Sequence, residues 1–143
     1  MNEKNITVRI KGRERILNVG DNYFFEFKDP EETSFHMLRS EVMDIYWKDN
    51  DSGKSFFFIY VHEHNEDYLI SDDEIVSAKL SDLVAGQIYE YVMNNGYSIT
   101  GEFIELKSIG KEIHSIWIDL GRQPVYLDYR DIEEIIKLDN DYL

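Results

Sequence analysis

Leu17-Asn18-Val19-Gly20-Asp21-Asn22-Tyr23-Phe24-Phe25 and Leu83-Val84-Ala85-Gly86-Gln87-Ile88-Tyr89-Glu90-Tyr91 share a Leu-x-x-Gly-x-x-Tyr-x-aromatic pattern at an offset of 66. Outward from this pair the correspondence continues. Ser40-Glu41-Val42-Met43-Asp44-Ile45 matches Gly101-Glu102-Phe103-Ile104-Glu105-Leu106 in chemical type at an offset of 61. Tyr68-Leu69, Asp73 and Lys79-Leu80 match Tyr126-Leu127, Asp131 and Lys137-Leu138 at an offset of 58. The order is kept and the offset shrinks, as it does when the first copy carries loop insertions, here around Asp29 to Phe35 and Asp49 to Ser52. The chain therefore reads as a duplication.

Each copy is rich in strand-forming residues. Isoleucine, valine, threonine and the aromatics make up 48 of the 143 residues, against two alanines, a composition that fits pleated, half-buried surfaces. Apolar residues alternate in Ile6, Val8, Ile10 and in Tyr89, Tyr91, Met93, while no helical period lasts three turns. In the second copy this predicts strands near 88–93, 97–107, 112–120, 125–129 and 133–138. Asn95-Gly96 is the residue pair of a type I′ hairpin, and Ser52-Gly53 and Gly110-Lys111 also punctuate apolar runs. Gly101 falls mid-strand, where a curled sheet needs a residue without a Cβ. Asp29-Pro30-Glu31-Glu32 has the cap, proline and first-turn acids of a helix start, which predicts one short helix over about 30–38.

In strand order the chain resembles the SH3-like small barrels, in the broad sense that includes Tudor-like and Sm-like domains. The likeness rests on Leu83-Val84-Ala85-Gly86-x-x-Tyr89-x-Tyr91 and on Tyr126-x-x-x-x-Asp131-Ile132. It implies a mainly β protein of two tandem five-stranded barrels, residues 16–80 and 81–143, preceded by a basic N-terminal strand or arm at 1–15. Such barrels serve many functions, so the resemblance carries a fold and little chemistry.

The chain contains no cysteine, which excludes disulfide scaffolds, thiolate metal sites and cysteine nucleophiles. Met1-Asn2-Glu3-Lys4-Asn5 leads into no apolar signal region, and the longest apolar run, Phe56 to Val61, is far shorter than a membrane span. A cytoplasmic protein without membrane contact is expected. His62-x-His64 has a spacing that puts two imidazoles on one strand face, but the surrounding Glu63, Asn65, Glu66 and Asp67 suit a solvated turn equally. Asp49-x-Asp51-x-Gly53 has its glycine one place too early for a calcium loop and Tyr60 where the last ligand belongs. Gly96-x-x-x-x-Gly101 is followed by Glu102, where a phosphate loop requires lysine. No Gly-x-Ser-x-Gly elbow is present. No cofactor, resident metal or catalytic centre is expected.

The formal charge is −14. Residues 1–19 carry +3, 20–80 carry −10 and 81–143 carry −7. Arg9, Lys11, Arg13 and Arg15 recur at period two, which predicts a basic edge opposite Ile6, Val8 and Ile10. Over the rest of the molecule the phosphate term is repulsive, so direct nucleic-acid binding is not expected and a basic protein surface is. Candidate contacts are the acids Asp72, Asp73, Glu74, Glu133 and Glu134 and the aromatics Trp47, Tyr60, Tyr89, Tyr91, Trp117 and Tyr129, since exposed Trp and Tyr are frequent interface anchors. Small size, acidity and lack of catalytic apparatus resemble the inhibitors and nucleic-acid mimics that phages and prophages use against host systems. A non-catalytic acidic binding module is thus expected, with a homodimer compatible. The alternative is a small-ligand or modified-peptide binder using an aromatic cleft between the copies.

Overall fold

The computed structural model describes residues 4–28, 38–110 and 112–138. The chain divides into two compact units, Met1–Asp82 and Leu83–Leu143. The first holds β1 (Asn5–Ile10), β2 (Arg13–Asn18), β3 (Asn22–Phe27), β4 (Leu38–Lys48), β5 (Ser55–Val61), β6 (Glu66–Ser71) and β7 (Ile75–Leu80). The second holds β8 (Ile88–Met93), β9 (Ser98–Ile109), β10 (Glu112–Asp119), β11 (Pro124–Asp128) and β12 (Ile132–Lys137). The helix expected over 30–38 lies outside the described residues, apart from Leu38, which opens β4.

Both units build the same antiparallel sheet. The orders are β6-β5-β4-β3-β7 and β11-β10-β9-β8-β12: a four-stranded meander whose last strand returns, after a single 3-10 turn, to pair with the first. The edge strands of each sheet do not pair with one another among the described residues, so the fold is mainly β, of a small-barrel-like kind, with open sheets. The alternation read from sequence sets the buried faces. Phe25, Val42, Phe57, Ile59 and Ile75 fill the first core, and Tyr89, Tyr91, Ile116, Ile118 and Ile132 the second. Each such side chain contributes roughly 1.5–3 kcal/mol by leaving water.

The paired Leu-x-x-Gly-x-x-Tyr segments fold alike. The Tyr23 hydroxyl accepts the Asn18 N–H at 2.9 Å, and the Tyr89 hydroxyl accepts the Val84 N–H at 2.9 Å. Gly20 and Gly86 both have φ of +91°, a conformation that costs a residue with a Cβ. Gly20 N–H donates to Val42 and Gly86 N–H to Phe103, while Val42 and Phe103 donate back to Asp21 and Gln87. These are the positions the 66 and 61 offsets had matched. Gly101 also has a visible reason: a Cβ there would meet Ile118 Cδ1 at 3.1 Å and the Asp119 carbonyl oxygen at 3.2 Å.

The third block of the repeat is corrected by one residue. Tyr23 pairs with Leu80 and Tyr89 with Lys137, so the last strands correspond at an offset of 57, not 58. Buried Ile70, Ile75 and Ala78 then match buried Leu127, Ile132 and Ile135. A slip of one would turn every side chain to the wrong face, and burial therefore decides the register where residue likeness misled.

The N-terminal segment is a hairpin rather than a single strand. Ile10 pairs with Arg13 across Lys11 and Gly12, whose φ of +52° and +77° define a type I′ turn. At Asn94-Asn95-Gly96, by contrast, Gly96 N–H donates to Met93 and only Gly96 is left-handed, a type I turn followed by a glycine bulge. The expected type I′ turn thus sits at the other hairpin. The turn also breaks the basic period: Arg15 faces inward with Val8, is buried, and donates to the Ala78 carbonyl.

Replacing Tyr23 or Tyr89 by Phe leaves a backbone N–H without its acceptor. Each change is expected to lower stability by about 1 kcal/mol, read as a shift in the urea midpoint with unchanged slope.

Candidate functional site

β5 alternates buried Ser55, Phe57, Ile59 and Val61 with half-buried Phe56, Phe58 and Tyr60. The second set lies on the outer face, because successive strand residues point to opposite sides. Trp47 on β4 is opposite Phe56 and stacks on it, with centroids 5.6 Å apart and planes 13° apart. Leu69 on β6 is opposite Phe58, and Tyr60 is flanked in register by Glu41 on β4 and Asp67 on β6. Trp47 and Leu69 remain 46% and 48% exposed. The result is an apolar row with carboxylates at one end, presented on a sheet rather than on loops. Tyr60 is oriented by its hydroxyl bond to Asn65 and by edge contact with His62 at 5.1 Å.

The second unit carries a smaller version. Trp117 on β10 is paired with Glu105 and Tyr126, its ring 5.5 Å from that of Tyr126 and beneath the Lys107 ammonium at 4.4 Å. Tyr126 is 61% exposed. Tyr126 is not among the contacts expected from sequence; in the register of the sheets its counterpart is Leu69, also outward.

The other expected contacts separate. Tyr89, Tyr91 and Tyr129 are core residues; burial pushes the Tyr91 and Tyr129 phenols far above their ordinary range, and they are not available as surface anchors. Asp72, Asp73 and Glu74 form the 3-10 turn before β7 and are used internally. Asp72 is buried, and its two oxygens accept the N–H groups of Arg9 (2.9 Å) and Ser55 (3.3 Å), which fastens β1 to the sheet. Asp73 is bound by Ser71 and by Lys54 at 3.0 Å, and these two donors hold its carboxyl below the ordinary range. Glu74 accepts the Ser71 N–H at 2.9 Å. Glu133 is half-buried and Glu134 buried on β12, beside a bulge in its pairing with β8. Of these five acids Asp72 and Glu134 are buried, while Asp73 and Glu74 stay exposed and also carry internal bonds.

The histidine pair is also redrawn. β5 ends at Val61, and His62 to Asn65 form the turn into β6, so the two rings do not share a strand face. His62 Nε2 lies 2.6 Å from Asn22 Oδ1, and His64 Nδ1 lies 3.0 Å from the Tyr68 hydroxyl. No cluster of three metal-ligating side chains occurs among the described residues. Asp49 closes its own turn by accepting from Ser52 Oγ at 2.7 Å and from the Asp51 N–H. No described helix is long and apolar enough to cross a membrane. Compared with known proteins, the chain matches no family model, no curated protein and no solved structure.

Asp72→Ala removes the acceptor of two N–H groups at a buried point. A loss of about 1–3 kcal/mol is expected, with faster hydrogen exchange at Arg9 and Ser55. A second outcome concerns acid. The Arg39 guanidinium donates to Asp82 through two bonds of 2.9 Å, and Ser81 and Asn22 donate as well, so Asp82 is held below its ordinary value. Its contribution is present above the unfolded value near 3.8 and is lost as pH falls through the lower folded one. Arg39→Ala is expected to move the Asp82 carbonyl-carbon titration up toward 3.8.

Proposed function

We propose that this chain is a non-catalytic binding module whose SH3-like units present acids and aromatics to a basic protein surface, in the manner of an inhibitor that occupies a host protein. The observation that carries the reading is the outer row Trp47, Phe56, Phe58 and Leu69, continued to Tyr60 between Glu41 and Asp67. Aromatics in such a row supply buried area with few rotors to freeze, and carboxylates beside them favour a cationic partner and speed its approach. The formal charge of −14 acts in the same direction over a longer range.

The division of labour matters for specificity. A surface held only by charge loses its partner at moderate salt, whereas a desolvated aromatic anchor retains part of the affinity. The outer row combines both, so the reading predicts a complex that weakens with salt without vanishing. The row is built on β4, β5 and β6, whose backbone groups are fixed by pairing on both sides of β5, with Trp47 stacked on Phe56 and Tyr60 held by Asn65 and His62 before any partner arrives. Pre-organisation of this kind lowers the entropy lost on association.

The test begins with capture of partners from a host lysate and continues with the purified complex. Trp47→Ala and Tyr60→Ala are each expected to weaken it by roughly tenfold or more, and about 0.5 M salt is expected to weaken the wild type further. A captured partner with an acidic surface, or a complex indifferent to both variants and to salt, contradicts the reading.

A further inference from the structure

Within a chain of net charge −14 one cleft gathers more cations than acids, five against three. It lies in the first unit where two hairpin tips approach each other, the β1–β2 turn and the β4–β5 turn, and measures about 600 Å³. Arg9, Lys11, Lys28, Lys48 and Lys54 line it, and all five residues are exposed. Of these, Lys54 is paired with Asp73. Arg9, Lys11, Lys28 and Lys48 form no ion pair with a described carboxylate. The acids in the lining are Glu14, Asp72 and Asp73. Asp72 accepts from the Arg9 and Ser55 amides and Asp73 from Ser71 and Lys54; each carboxylate keeps its charge, so five cations stand against three acids and the lining is net positive by two.

We propose that this cleft binds the oligophosphate group of a small molecule. Its volume falls in the range of small-ligand sites. Lysines act on phosphate as point charges, and Lys11, Lys28 and Lys48, with the Arg9 guanidinium, offer four cationic donors to a di- or triphosphate. Gly12 and Gly53, at the two turns, let such a group approach the backbone without meeting a side chain. The acidity of the remaining surface selects the size of the ligand. A long polyanion has to cross negative potential outside the cleft, while a compact one stays within about one Debye length, ~8–10 Å, of the cations. The site therefore suits a small phosphate ester or inorganic oligophosphate and discriminates against nucleic acid. The same hairpin that Asp72 fastens to the sheet supplies two of the cations, so the cleft exists because the hairpin is docked.

The experiment is a titration of the full chain with tripolyphosphate and, separately, with ATP at low and at about 0.15 M salt, followed by calorimetry and amide chemical shifts. Both ligands are expected to bind, with shifts concentrated at Arg9 to Gly12, Lys28, Lys48 and Gly53 to Ser55. Equal affinities assign the site to the oligophosphate alone, and ATP binding roughly tenfold tighter assigns it to a nucleotide. The double variant Lys28→Gln/Lys48→Gln is expected to lose at least about tenfold in affinity while keeping its unfolding midpoint; Arg122→Gln, at an exposed position in the other unit, is expected to leave the affinity unchanged. Absence of binding by both ligands at about 1 mM, shifts confined to other regions, sulfate binding as tightly as tripolyphosphate, or full affinity in the double variant overturns the proposal.

Discussion

A buried phenol accepting an amide hydrogen from five residues upstream is the constraint on which each unit depends. Tyr23 does this for Asn18 and Tyr89 for Val84. The bond closes the turn around Gly20 or Gly86, which fixes where the first strand of the meander begins and which of its faces is buried. Once that strand is placed, the second pairs with it on one side and the last on the other. Position in the sheet, rather than local propensity, then determines whether a given aromatic is core or surface.

That rule explains what was legible in the sequence and what was not. Gly20, Gly86, Tyr23 and Tyr89 were readable as a repeat because a left-handed glycine and a bonded phenol admit few substitutes. The alternation in Ile6, Val8, Ile10 and in Tyr89, Tyr91 fixed strand faces directly. The hairpin was not readable because Lys11-Gly12 lacks the asparagine or aspartate that advertises a type I′ turn, whereas Asn95-Gly96 has it and adopts another geometry. The one-residue slip in the last block arose because Tyr68 and Tyr126 look alike while their strand positions differ by one. Tertiary contacts alone show that Asp72 is spent on Arg9 and Ser55. Sequence proximity had grouped it with Asp73 and Glu74 as surface charge.

The two copies have diverged around a shared frame. The position taken by Asp72 in the first unit is taken by Tyr129 in the second, each opening the 3-10 turn before the returning strand. A carboxylate there receives a hairpin; a phenol ring there is packed into the core. The first unit accordingly carries both the docked hairpin with its cationic cleft and the longer outer aromatic row. The second carries the Trp117–Tyr126 pair alone. At the cleft five cations gather against three carboxylates, a local excess of positive charge within a chain of strongly negative net charge.

One sheet is built twice in this chain, with its last strand registered on its first at matching positions. Cross-strand nuclear Overhauser effects between backbone protons test it most directly. The account requires contacts of Tyr23 with Leu80 and of Tyr89 with Lys137, and of Phe25 with Ala78 and Tyr91 with Ile135. Contacts displaced by one residue in either unit, or a last strand paired elsewhere, would contradict it.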